Sequence, residues 1–375
     1  LVGCEQLAII QPPFQWSKTV AKNATREIPM PPGPIAGPSA WYGHEMLKTD
    51  KWIFRLNEED NAEIEAAVAA TQSLPIKDIT RAQFKLPTIG RRLVGVLDEI
   101  LSGRGFILMR GIRVDIDNIE QAARAYWGIG CYLGAMRSQN ARGDLLGHVI
   151  DLSRSVDDPT ARIYQTNARQ NYHADSTDIV SLLCLQGAMS GGASSILSSV
   201  TIYNEMLKRD SDLTRELFCP FYIDRRGEVP EGKDPWYRIP IFCWHDGFLT
   251  TQFTRPYIDS AQRLPDVPRL TKQQVAALDL FQEICEDADI HLNMDFEPGD
   301  MQYLHNFQVL HDRTAFEDWP DDPKKKRHLL RLWLCTEQGR ELPPAYLDRQ
   351  ESITIGDRGG IHVPGTCLNV NLVPG

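Results

Sequence analysis

The chain has 375 residues, 42% of them hydrophobic and 24% charged, and a formal net charge of −10 at pH 7. This is the composition of a folded globular protein with a sizeable core. Its negative field disfavours nucleic acid and anionic membrane as partners, which leaves a small molecule as the expected ligand.

Residues 1–40 are rich in proline, as in Met30-Pro31-Pro32-Gly33-Pro34 and Gly37-Pro38, and are expected to form an extended N-terminal arm lying on a single catalytic domain over 41–375. The first residues show no basic segment followed by an apolar one. No apolar run approaches the roughly 20 residues that span a bilayer, so a soluble, cytoplasmic protein is expected. Eight dispersed cysteines without a Cys-x-x-Cys pair read as buried thiols in a reducing compartment. The sequence leaves the oligomeric state open, a homo-oligomer included.

Apolar spacing predicts helices over 58–72, with Asn57 as N-cap, and over 88–101, then a strand at 106–109 and a helix over 116–132. From residue 146 the texture changes to short β-rich runs at 148–152, 179–185, 195–198, 218–223, 239–244, 249–253, 291–296, 301–304 and 329–335. Helices at 202–209 and 272–287 interrupt them. Many short strands at this spacing point to a sandwich or closed barrel, not a parallel sheet. The run Gly128-Ile129-Gly130-Cys131-Tyr132-Leu133-Gly134 lies in a helical pattern and does not follow a strand, so it is no dinucleotide fingerprint. Gly192-Ala193-Ser194-Ser195-Ile196 lacks the second flanking glycine of a nucleophile elbow.

In Asn171-Tyr172-His173-Ala174-Asp175 the His and Asp are two apart, so on an extended strand both side chains leave one face. Two such ligands and a second His from elsewhere cap one face of an octahedron and leave three positions open, the arrangement of iron(II) oxygenases. The segment 299–313, expected to run as a strand from the turn Pro298-Gly299-Asp300 to near His311, supplies that His; His305 is the weaker competitor.

Four motifs in order then resemble the taurine dioxygenase family of 2-oxoglutarate oxygenases. They are His173-Ala174-Asp175, Gly191-Gly192-Ala193-Ser194, Asn306 with His311-Asp312-Arg313-Thr314-Ala315-Phe316, and Arg327-His328-Leu329-Leu330-Arg331. The resemblance spans roughly 103–336 and begins at Gly103-Arg104-Gly105-Phe106. It implies a mainly β fold with flanking helices around a double-stranded β-helix, or jelly-roll, core. It also implies Fe(II), 2-oxoglutarate and O2 as cofactors, with His173, Asp175 and His311 as the iron ligands.

The resemblance further places Arg327 against the distal carboxylate of 2-oxoglutarate, a role suited to a guanidinium fork. Ser194 would be the hydroxyl beside it, or Ser195 if the register slips. Arg331, four residues on, would anchor an acidic substrate: an amino acid or other carboxylate ahead of a sulfonate. The implied reaction attacks an unactivated C–H bond and releases succinate and CO2, by hydroxylation or else by desaturation or ring closure. The loop from His311 to Arg327 is longer than in the taurine enzyme, so the substrate end is where the likeness carries least. The alternatives weighed against this are a zinc hydrolase on the same triad, which leaves Arg327 and Ser194 without purpose, and a non-catalytic barrel that only binds.

Overall fold

The computed structural model describes residues 29–154, 162–320, 322 and 325–374. Of the expected arm, residues 1–28 fall outside these bounds. The remainder does lie on the domain: Ile35 exchanges backbone hydrogen bonds of 2.8 Å with the Asn204 side chain, and Met30 and Ala40 pack on the core.

Two facing sheets form the centre. The larger runs, in spatial order, Ile53–Arg55, Phe106–Arg110, Met301–His305, Ile179–Gln186, His328–Cys335, Asp144–Ile150 and Asn369–Val370, with Ala135–Met136 paired onto His328–Cys335. The smaller has the order Leu292–Met294, Ser194–Ser198, Val309–Arg313, Gln170–His173, antiparallel throughout. Phe106, Val180, Leu304 and Trp333 from the first sheet meet Ile196, Leu292, Met294 and Val309 from the second in one buried cluster, so the interior of the sandwich is dry on that side. This is the expected jelly-roll core.

Period-2 alternation is clearest on His328–Cys335, buried at every position. Leu330, Leu332 and Leu334 face outward into the cluster under helices Glu58–Ala70, Ile89–Leu101 and Ile119–Gly130, whereas Arg331 and Trp333 face inward. Covering both faces explains why the strand reads as a continuous apolar run. Each fully buried leucine contributes about 1.5–3 kcal/mol. The first of these helices starts where Asn57 and Asp60 form a reciprocal capping box, and the Gly128 run lies at the end of the third. Helices Ser199–Arg209 and Lys272–Cys285, with two hairpins, cover the other side of the molecule. Among the described residues no helix is long and apolar enough to cross a membrane.

Three readings are corrected. The segment after Gly299 is two strands, Met301–His305 in the large sheet and Val309–Arg313 in the small one, so the chain changes sheets between them. The run 239–244 is likewise two strands, Trp236–Pro240 and Phe242–His245, because it breaks after Pro240. Short helices at Ser211–Glu216 and Arg255–Ala261 carry too few apolar positions for periodicity to reveal them.

Candidate metal and co-substrate site

His173 ends the strand Gln170–His173, and the antiparallel register sets it directly opposite His311 on Val309–Arg313. Their ring centroids are 4.1 Å apart. Beyond the strand the chain turns: Ala174 N–H bonds to Phe253 O at 2.9 Å, and Asp175 swings back over the imidazoles. Asn306 locks that turn, accepting from the Asp175 N–H at 2.8 Å and donating to the carbonyl oxygens of Asp175 and Thr177. Asp175 therefore lies past the end of the expected strand, yet its carboxylate reaches both histidines, with Oδ1 and Oδ2 each 3.7 Å from one Nε2. Ligand atoms of His173, Asp175 and His311 all lie within 4.8 Å of one another. His305 is buried elsewhere, beside Arg340.

Burial opposes ionisation of Asp175, but the Arg331 guanidinium, both imidazoles and the Trp333 N–H outweigh it and hold the carboxyl below its usual range. Trp333 Nε1 donates to Oδ2 at 2.9 Å. Burial, then His173, pushes the His311 imidazole down to about 3, so that it is neutral and basic toward a metal at neutral pH. The His173 Nδ1 lies 2.9 Å from Asn171 O, which fixes the tautomer with Nε2 as the free acceptor; Gln170 Nε2 lies 3.0 Å from that atom and would have to move for Nε2 to hold a metal.

A cavity opens beside the triad, enclosing about 510 Å³ of non-protein space including its mouth. Arg327, Ser194 and Arg331 all line it, as do Tyr164, Gln302 and Arg313. Arg327 is 4% exposed, donates one bond to Gly192 O at 3.0 Å, and keeps Nη1 buried without a hydrogen-bond partner. Burial, followed by the nearby Arg313, lowers its pKa to about 10. Gly192 has φ +73°, and a Cβ there would meet the Arg327 Nε at 2.7 Å. Ser194 lines the cavity and its Oγ bonds to Gln302 at 3.0 Å, whereas Ser195 bonds to Tyr172 at 2.6 Å and does not line it.

Arg331 is held by Gln139 Oε1 at 2.6 Å, with Tyr164 and Trp333 rings 4.8 and 5.3 Å from its guanidinium carbon. Its nearest carboxylate is Asp175, at 3.9 Å and outside hydrogen-bond range. Sequence reasoning gave no role to Gln139, Tyr164, Gln170, Arg313 or Trp333. Of these, Trp333, two positions along a strand from Arg331, and Arg313, two positions along a strand from His311, had a signal that places each on the face of its neighbour.

A cluster of two imidazoles and one carboxylate with an open flank fits a divalent metal with oxygen-ligand chemistry. A buried guanidinium with an orphaned nitrogen beside it fits an anion.

Comparison with known proteins agrees with this chemistry. Residues 71–333 match the model of the taurine catabolism dioxygenase TauD, TfdA family. The chain is 33% identical over 320 residues to FR-33289 synthase of Streptomyces rubellomurinus (strain ATCC 31215), covering 83% of this chain and 93% of that one. It is 31% identical over 329 residues to the taurine hydroxylase-like protein SAT17 of Stachybotrys chartarum (strain CBS 109288 / IBT 7711), covering 83% of each. Among solved structures, asparagine oxygenase in complex with Fe(II), 2S,3S-3-hydroxyasparagine and succinate shares the fold with a TM-score of 0.59 at 18% identity, over 76% of this chain and 93% of that one.

Proposed function

Because this chain belongs to the taurine catabolism dioxygenase TauD/TfdA family, we propose that it oxidises an unactivated C–H bond of a small acidic substrate, with His173, Asp175 and His311 as the iron ligands. It is a 2-oxoglutarate-dependent dioxygenase, and its cofactors are iron(II), 2-oxoglutarate and O2. Residues 41–375 act as one catalytic domain in this reading. The observation that carries it is the orphaned Arg327 guanidinium in the cavity beside the His/Asp/His cluster: a zinc hydrolase on the same triad has no use for a buried cation there.

Iron when bound supplies activation of O2 coupled to decarboxylation of 2-oxoglutarate to succinate and CO2. The protein's part is placement. Trp333 orients the Asp175 carboxylate, and Asn306 fixes the backbone that bears it. Arg327 binds the distal carboxylate of 2-oxoglutarate by charge and fork geometry, and Ser194 turns its hydroxyl from Gln302 to assist. Arg331 and Tyr164, at the other end of the cavity, bind the substrate's carboxylate, an amino acid or other carboxylic acid ahead of a sulfonate. Hydroxylation is the default outcome; desaturation or ring closure needs only a different placement of substrate carbons. The apolar walls Val149, Val180, Leu182 and Leu304 keep bulk water from the reacting centre.

The test is aerobic incubation with iron(II), 2-oxoglutarate and a panel of amino acids, other carboxylates and sulfonates. Succinate release that rises with one class of acid and vanishes when zinc replaces iron is expected. Turnover that consumes no O2 and releases no succinate would overturn the assignment.

A further inference from the structure

Two guanidinium groups, not one, line the cavity at the Arg327 end, and among the described residues neither is ion-paired to a carboxylate. Arg313 comes from a different strand: it lies two residues after His311 on Val309–Arg313, on the same face, and directly opposite Ser194 across the antiparallel pair. Its Nη2 donates to the carbonyl oxygen of Ala168, while Nε and Nη1 are buried with no hydrogen-bond partner. The Arg313 and Arg327 guanidinium carbons both lie against the Phe316 ring, 4.9 and 5.2 Å from its centroid.

The acids Asp312 and Asp151 near Arg313, and Asp318 near Arg327, favour the charged guanidinium groups at a distance but form no ion pair with them. Asp312 Oδ2 is held by Arg169 at 2.7 Å, and Asp318 Oδ1 accepts the backbone N–H of Arg327 at 2.7 Å. Among the described residues no carboxylate forms an ion pair with either guanidinium. One shared aromatic ring offsets only part of the cost of desolvating each cation, and their mutual repulsion adds to that cost. An anion placed between the two guanidinium groups would offset that cost and satisfy their free nitrogens.

We propose that Arg313 is a second anchor for the distal carboxylate of 2-oxoglutarate, which lies between Arg327 on one side and the free Nε and Nη1 of Arg313 on the other. This rests on the reading of Arg327 as the co-substrate anchor and extends it to selectivity. A keto acid without a distal carboxylate leaves two buried cations facing each other, so the enzyme discriminates against 2-oxobutyrate more strongly than a one-arginine site would.

The experiment is anaerobic calorimetric titration of the Fe(II)-loaded protein with 2-oxoglutarate and with 2-oxobutyrate. It compares the wild type with Arg313→Met and with Arg313→Gln, which retains a donor for the Ala168 carbonyl and guards against misfolding of the first variant. Both variants are expected to weaken 2-oxoglutarate about tenfold or more, to leave iron binding unchanged, and to leave 2-oxobutyrate affinity unchanged or improved. If either folded variant binds 2-oxoglutarate as the wild type does, or loses affinity for both keto acids equally, Arg313 is not an anchor. If the wild type itself fails to bind 2-oxoglutarate, the reading of Arg327 falls as well, a result distinct from unchanged binding in the variants.

Discussion

The indole N–H of Trp333 meets Oδ2 of Asp175 at 2.9 Å across the space between the two sheets. It turns one carboxylate oxygen toward the large sheet and leaves the other beside His173. A residue of the opposite sheet thus sets the rotamer of a proposed metal ligand, and replacing it probes the site without touching a ligand. Trp333→Phe keeps an aromatic ring in the inter-sheet cluster but removes the donor. Metal affinity is expected to fall about 10- to 100-fold, as read by competition with a chromophoric chelator. An unchanged affinity would mean that other contacts orient Asp175.

Arg327→Lys replaces a fork with a point charge and is expected to weaken 2-oxoglutarate binding strongly. Ser194→Ala removes a hydroxyl already bonded to Gln302 and is expected to cost only about 0.5–1.5 kcal/mol. Titrating both variants with 2-oxoglutarate decides it. A larger loss from the serine change would place the distal carboxylate away from Arg327.

Arg331→Gln removes a buried cation whose only nearby carboxylate among the described residues is Asp175, at 3.9 Å. The KM for the acidic substrate is expected to rise about tenfold or more, while 2-oxoglutarate affinity changes little. Parallel loss of both affinities would instead make Arg331 a support for Asp175.

A pH dependence of stability arises away from the site. His328 bonds to His148 at 2.8 Å, and burial, then His148, lowers its pKa from 6.5 to about 4. Between those values the unfolded chain binds a proton that the folded chain excludes. Stability is therefore full above pH 6.5 and falls as pH drops toward 4, by roughly 3 kcal/mol in the limit. Urea unfolding at pH 7.5 and pH 5 should show a smaller difference for His328→Gln than for the wild type. Equal differences would assign the acid sensitivity to other groups.

The clustering of His173, Asp175 and His311 was legible because a chelating pair needs two residue types at a fixed short spacing plus one distant partner, and because His311 lies in a motif with Asn306 and Arg313. The helices were legible from caps and apolar period, as at Asn57. The surroundings of the triad were not. Gln139 reaches Arg331 only because segments distant in sequence are brought side by side, and it has no local pattern that announces it; Asn306 stood in the His311 motif, but its bonds to the Asp175 backbone follow only from the fold. The two-strand nature of 299–313 was hidden for a related reason: His305 and Asn306 are buried polar residues whose turn is stabilised by contacts to Gly105 and Asp178 backbone, not by turn-forming residues of its own.

Gly192 leaves a space where any other residue would have a side chain, and Arg327 occupies it. The width of the co-substrate end is thus set by an atom that is missing, on a loop distant in sequence from the arginine it admits. A chain drifting to alanine at this position would retain every polar residue of the site and still displace the guanidinium, losing its grip on a keto acid through sterics alone.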